Sequence, residues 1–268
     1  MKLCRFQPLE FAIKDLGRSG NEVQAQTLSG ILEGGSVYEI RGGFMGARER
    51  TGRKWPADQV KYLPPSAPTK IVAVGRNYQE HVKEFNNPLP KEPAIFLKPP
   101  SSVLAPDDPI VLPVLSQRVE YEGELAVVMA KRCFHVSQDD DVKPLILGYT
   151  ALNDVTARDL QRADLQWTRG KGFDTFCPFG PVLETEHPTS ATKVETLLNG
   201  EVKQSATVGD MIFPIEVIIR WITAVMTLEP GDVIATGTPG GVGPIAAGDI
   251  VEVSVSGIAT LRNPVAAA

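Results

Sequence analysis

In the stretch Val119-Glu120-Tyr121-Glu122-Gly123-Glu124, carboxylates alternate with other residues, and the chain then runs without a break into Leu125-Ala126-Val127-Val128-Met129. A strand has a side-chain period of two, so the alternation predicts Glu120, Glu122 and Glu124 on one face. Charged teeth of this kind suit a solvated edge strand, but the apolar continuation places the end of the strand near the interior. Carboxylates crowded there repel one another unless they are protonated or matched by a cation, and a hard divalent ion bound through oxygen resolves that repulsion. Asp154 closes a second apolar run, 148–152, and opens a polar loop. It can supply a third ligand, or simply cap the following turn.

Strand signals dominate the rest of the chain. Residues 70–75, 94–98, 232–236 and 249–255 are short β-branched or apolar runs, and Asn199-Gly200 marks a hairpin turn. The clearest helix pattern is 214–226, where Ile215, Ile218, Ile219, Ile222 and Met226 recur behind a leading proline, with a shorter helical turn expected over 78–85. Residues 1–67 carry strand candidates such as 37–40, broken by Gly34-Gly35 and Gly42-Gly43. They end in Leu63-Pro64-Pro65-Ser66-Ala67-Pro68, the composition of a short stiff linker. The reading is a small N-terminal unit, 1–67, followed by a larger one, 68–268. The proline-containing loop 83–93 has the composition of a lid.

Several functions are disfavoured. The net charge is −5 and no Lys/Arg cluster forms a basic stripe, so nucleic acid and anionic membranes find no foothold. The strongly apolar stretches 125–130 and 217–226 fall short of the roughly 20 residues of a membrane helix, and charge interrupts the N-terminus where a signal peptide is apolar. A cytoplasmic location is expected. Cys4, Cys133 and Cys177 are too scattered for a disulfide framework or zinc cluster. The glycines of 236–243 imitate a dinucleotide fingerprint, but Pro244 follows and no helix pattern opens after it. His135 and His187 lack any context that assigns them a role.

The ordered motifs Gly75-Arg76-Asn77-Tyr78 with His81 and Glu84, Phe96-Leu97-Lys98-Pro99, Tyr121-Glu122-Gly123-Glu124-Leu125, Asp154-Val155-Thr156-Ala157-Arg158-Asp159, Trp167 through Asp174 and Thr236 through Gly243 are together highly specific. Over residues 70–262 the chain resembles the fumarylacetoacetate hydrolase superfamily. The resemblance implies an α+β, mainly β fold: a mixed β-sandwich roll with a small N-terminal accessory domain, assembled as a homodimer. It implies one Mg²⁺ or Mn²⁺ per subunit held by Glu122, Glu124 and Asp154, with Lys171 beside it. His81 and Glu84 match the His-Glu dyad of acylpyruvase-like and oxaloacetate-decarboxylating members. Arg76, Tyr78, Lys98, Gln161 and Thr238 are the implied substrate-binding set, and Glu120 stands outside the three ligand positions.

The chemistry expected of such a site is cleavage of a carbon-carbon bond in a small 2-oxo or 2,4-dioxo acid through a metal-bound enolate. His81, oriented by Glu84 one helical turn away, would take a proton from the attacking water, and Lys171 would stabilise the oxyanion. An acylpyruvate such as acetylpyruvate or fumarylpyruvate is the first substrate expected. Oxaloacetate decarboxylation and isomerisation of hydroxy-dienedioates, as in aromatic catabolism, are the alternatives, and a non-catalytic binding protein is the reading from another class.

Overall fold

A computed structural model of the chain describes residues 1–10, 26–84 and 88–268. Phe85, Asn86 and Asn87, part of the expected helical turn and of the expected lid, lie outside the described residues.

Glycine-marked hairpins and β-branched runs give a mainly β, α+β molecule. The largest sheet runs, in hydrogen-bonded order, Glu49–Pro56, Ser36–Arg41, Leu28–Glu33, Lys2–Pro8, Cys177–Glu184, Ile146–Asn153, Gly123–Met129, Val233–Ala235, Ile71–Gly75 and Ala94–Lys98. Most neighbours are antiparallel, whereas Val233–Ala235 and Ile71–Gly75 run parallel, so the sheet is mixed. A five-stranded sheet is built from Glu201–Thr207, Lys193–Leu198, Ile250–Val255, Ala259–Ala267 and Ile110–Leu112. The hairpin at Asn199-Gly200 has positive φ at both residues, 54° and 81°, which matches the twist of its flanking strands.

The apolar run Leu125–Met129 is central because both of its faces are covered. Leu125, Val127 and Met129 pack with Val194, Val253, Leu261 and the Ile218, Ile219 and Ile222 stripe of the helix Ile215–Val225. Ala126 and Val128 turn the other way, against Leu3, Leu152, Cys177, Phe179 and Leu183. The N-terminal strands carry a smaller core of Cys4, Phe6, Leu28, Val37, Trp55 and Val60, closed by Val182 of Cys177–Glu184. Lys2 and Leu3 pair with Glu184 and Leu183, so one sheet is continuous across the proline linker.

The acidic stretch departs from its expected form. Instead of one strand over 119–129 there are two, Val119–Tyr121 and Gly123–Met129, with Glu122 between them. The first pairs with Thr156–Ala157 and Gly243–Pro244 in a separate three-stranded sheet, the second with Ile146–Asn153 and Val233–Ala235. Changing partners at Glu122 redirects the backbone, so Glu120 does not line up with Glu122 and Glu124.

The C-terminal end of the linker is pinned by Asp232, which is fully buried. It accepts hydrogen bonds from the Thr69 amide (2.9 Å) and hydroxyl (2.7 Å), the Lys70 amide (3.1 Å) and ammonium (2.5 Å), and the Glu229 amide (2.8 Å). Burial alone would raise its carboxyl, but Lys70 and the amides outweigh that and hold it below the usual range. A depressed folded-state value means that the stabilisation is present above the ordinary carboxyl range near 3.9 and is lost as pH falls through the folded value. Asp232→Asn is therefore expected to destabilise the protein by about 2–3 kcal/mol at neutral pH. The gap from the unsubstituted chain should narrow on acidification below about pH 4 in denaturant titrations.

Candidate active site

Three carboxylates meet where two strands end. Glu122 occupies the junction described above, Glu124 lies just inside Gly123–Met129, and Asp154 immediately follows Ile146–Asn153. The Glu122 amide donates to Asn153 Oδ1 (3.0 Å), and the Asp154 amide donates to the Glu122 carbonyl (2.8 Å). These two bonds stitch the strand ends together and bring one carboxylate oxygen from each of Glu122, Glu124 and Asp154 within 4.8 Å of the others. All three side chains are buried.

Buried anions need counter-charge. Lys171 Nζ donates to Glu122 Oε2 (2.7 Å) and Asp154 Oδ2 (2.6 Å), and Lys98 Nζ donates to Asp154 Oδ1 (2.6 Å). The Arg158 guanidinium bridges Glu122 and Glu120, its Nε lying 2.6 Å from Glu120 Oε2, and its Nη1 donates to Gln161 Oε1 (2.6 Å). Burial would raise the Glu122 carboxyl, but Lys171 and Arg158 pull it well below the ordinary range. Glu124 is different. Burial, then Asp154 and Glu122, drive its carboxyl well upward, and the Gly237 amide (2.7 Å) is the hydrogen-bond donor that answers it. Gly237 delivers that N–H with φ 104°, and a Cβ there would meet Asn77 Cβ at 2.6 Å, so glycine is required. An all-oxygen donor set with one under-compensated carboxylate fits a hard divalent cation, which these three residues can hold.

The helical segments Arg158–Ala163 and Thr168–Lys171 set the cations in place. A Cβ at Gly170 would lie 2.9 Å from Gln161, so its absence lets the second segment press on the first and bring Lys171 inward. Burial would lower the Lys171 ammonium, but Asp154 and Glu122 more than offset this, and it stays protonated.

The cluster opens into a cavity of about 280 Å³. His81, Arg76, Gln161, Lys171 and Thr238 line it together with Glu122, Glu124 and Asp154, with Phe96 and Trp167 as an aromatic wall. His81, on Gln79–Glu84, lies 3.4 Å through Nδ1 from Glu84 Oε2. Burial lowers the imidazole, opposed by Glu122, so the ring is neutral at neutral pH. Lys98 sits behind Asp154 rather than on the cavity surface. Tyr78, expected among the substrate contacts, is packed instead in the core with Val72, Val74 and Met211. The reason is the clamp on its neighbour: the Asn77 side-chain amide donates to the Thr236 (2.7 Å) and Phe213 (3.1 Å) carbonyls, and its oxygen accepts the Phe213 amide (2.7 Å). The Thr238 hydroxyl is already engaged, donating to the Gly123 carbonyl (2.9 Å) and accepting from Gln204 Nε2 (2.8 Å).

Four residues of the site were not singled out from sequence. Arg158, Arg162 and Trp167 line the cavity, and Gln204, buried on the five-stranded sheet, ties the 238–239 loop to the Gly123 amide. Arg158, Arg162 and Trp167 stood inside or beside quoted motifs, whereas Gln204 carried no signal because its partners are 34 or more residues away.

Fold and site together define the class: the chain belongs to the fumarylacetoacetate hydrolase family. The fumarylacetoacetate (FAA) hydrolase C-terminal model matches residues 70–266, and an Rv2993c-like N-terminal model matches residues 22–65. An uncharacterized protein of Archaeoglobus fulgidus is 50% identical over 212 residues, 79% of this chain and 84% of that protein. The human mitochondrial oxaloacetate tautomerase FAHD2A is 46% identical over 194 residues, 70% of this chain and 62% of the human protein. Among solved structures, a Mycobacterium smegmatis protein named 5-carboxymethyl-2-hydroxymuconate delta-isomerase superposes with a TM-score of 0.86 at 41% identity, covering 100% of both chains. Among the described residues, no helix is long and apolar enough to cross a membrane.

Because Glu124 faces two other carboxylates, Glu124→Gln is expected to act in opposite directions on two measurements. Mn²⁺ affinity by calorimetry should fall roughly 100-fold or more, while the melting temperature of the metal-free protein in EDTA should hold or rise as the repulsion is relieved. Unchanged Mn²⁺ affinity would move the ion elsewhere.

Proposed function

We propose that this chain is a metal-dependent enzyme of small 2-oxo acids that moves the proton on the carbon beside the 2-oxo group, with keto-enol tautomerisation of oxaloacetate as its leading reaction. The observation that carries the reading is the buried Glu122, Glu124 and Asp154 cluster opening into a cavity that also holds Lys171 and a neutral His81. A Mg²⁺ or Mn²⁺ held there would polarise the 2-oxo and carboxylate oxygens of the substrate and so acidify the adjacent C–H. The names of the tautomerase and isomerase relatives support proton movement.

His81 is the group suited to take up and return that proton, because a neutral imidazole can do both near neutral pH. Glu84 Oε2, 3.4 Å from Nδ1, is placed to orient the ring. The Lys171 ammonium, fixed between two carboxylates, supplies a preorganised donor for the oxygen on which negative charge develops. The aromatic wall of Phe96 and Trp167 limits water at the reacting carbon. The same His81 and Glu84 pair favours a second reading, carbon-carbon hydrolysis of acylpyruvates, in which the imidazole activates a water instead; oxaloacetate decarboxylation needs no such base. A homodimer, a division of the chain near residue 67 and a cytoplasmic location belong to this proposal.

Three substrates separate the readings: enol-oxaloacetate, acetylpyruvate and fumarylpyruvate, each with the Mg²⁺-loaded protein. Accelerated decay of the enol absorbance without pyruvate release is the expected result. Pyruvate from either dioxo acid would install the hydrolase reading, pyruvate from oxaloacetate the decarboxylase, and no acceleration with any of them would end all three. His81→Asn should slow the favoured reaction roughly 100-fold while leaving Mn²⁺ affinity unchanged.

A further inference from the structure

The charges inside the site and those at its mouth are partnered differently. Within the buried cluster, Glu120, Glu122, Glu124 and Asp154 face Lys98, Lys171 and Arg158, and each of these cations donates to at least one carboxylate. With all four carboxylates ionised, as cation binding requires, that leaves one negative charge in excess. A divalent cation turns it into one positive charge, which the carboxylate of a bound 2-oxo acid cancels; Arg118, on Glu120, is half-exposed and screened by solvent, so it stands outside this count. The interior is then balanced by a monocarboxylate substrate, and nothing inside calls for a second anion.

Two guanidinium groups on the cavity surface remain outside this balance. Arg76 and Arg162 both line the cavity, and neither has a carboxylate or hydrogen-bond partner among the described residues. Arg162 follows Arg158 by four positions on Arg158–Ala163, so both extend from one helical face, with Arg158 turned to the carboxylates and Arg162 one turn further along. Arg76 holds φ at 62°, a left-handed backbone uncommon for a residue with a Cβ, and it is fixed there by the four hydrogen bonds of Asn77. Gln161, which lines the same cavity, gives its Oε1 to Arg158, which orients its Nε2 donors away from that bond. Trp167 closes the wall, its ring packed so tightly over Gly75 that a Cβ there would lie 2.9 Å away.

We propose that Arg162, with Arg76 and Gln161 Nε2, forms a rim that binds a second carboxylate, making the enzyme selective for 2-oxo dicarboxylic acids over 2-oxo monocarboxylic acids of equal length, with Arg162 as the specificity-determining residue. Planar guanidinium donors suit a carboxylate through paired hydrogen bonds. The chemistry at the metal-side carboxylates is the same for both classes of acid, so discrimination falls to the rim. This inference rests on the 2-oxo acid reading above.

The test is calorimetric binding to the Mg²⁺-loaded protein of two pairs of equal carbon count: 2-oxoglutarate against 2-oxopentanoate, and oxaloacetate against 2-oxobutanoate. The expected result is at least tenfold tighter binding of the diacid in one or both pairs. Arg162→Leu, at an exposed helix position that tolerates the change, should erase the preference without altering monoacid affinity, and Arg162→Lys should restore part of it. For whichever diacid is turned over, KM should rise about tenfold or more in Arg162→Leu with kcat little changed. Equal affinity for diacid and monoacid, or a preference that survives Arg162→Leu, would overturn the rim while leaving the 2-oxo acid reading intact. Binding of neither class would overturn that reading and the rim with it.

Discussion

The mutual repulsion of buried carboxylates is the constraint around which this molecule is arranged. Glu120, Glu122, Glu124 and Asp154 are all held out of water, and a cluster of that kind persists only if the surrounding chain supplies cations in fixed positions. Lys98 comes from the edge strand Ala94–Lys98, Lys171 from a short helical segment, and Arg158 from the start of another. The central strands, the two segments after Asp154 and the edge of the large sheet must therefore be assembled together before all of these charges are satisfied. Glu124 remains the least compensated member, and it is the member that a divalent ion serves most directly.

The break in the acidic strand follows from the same constraint. A single continuous strand would have set Glu120, Glu122 and Glu124 side by side on one face, with only a sheet neighbour to relieve them. Switching hydrogen-bond partners at Glu122 separates Glu120, which pairs with Arg118 and Arg158, from Glu124, which turns toward Gly237. Arg158 then spans the gap by holding Glu120 and Glu122 at once. The side of the cavity built by Arg158–Ala163 thus carries both a structural cation and, four residues on, Arg162, which has no partner among the described residues.

Much of this was readable in the residues. The Ile215, Ile218, Ile219 and Ile222 spacing foretold the helix Ile215–Val225, and Asn199-Gly200 the hairpin turn. The alternating glutamates running into an apolar segment pointed to a buried carboxylate site, and the end of the apolar run before Asp154 pointed to a partner for it; the fold brings Glu122, Glu124 and Asp154 together. Tyr78 and Gln204 were beyond that reading. Tyr78 sits two positions from a cavity-lining arginine, yet the Asn77 clamp sends it into the core, and Gln204 reaches the site from a strand that no local pattern connects to it.

The sequence by itself determined which elements form and which residue types carry the charge, because periodicity, turn residues and apolar runs act through neighbours within a few positions. Tertiary structure alone decided which cation answers which carboxylate, where the acidic strand breaks, and that Arg76 and Arg162 line the cavity without a partner among the described residues. Those outcomes depend on distances between residues far apart in the chain, and Coulomb interactions in a water-poor interior are decided by distance and burial rather than by order along the backbone.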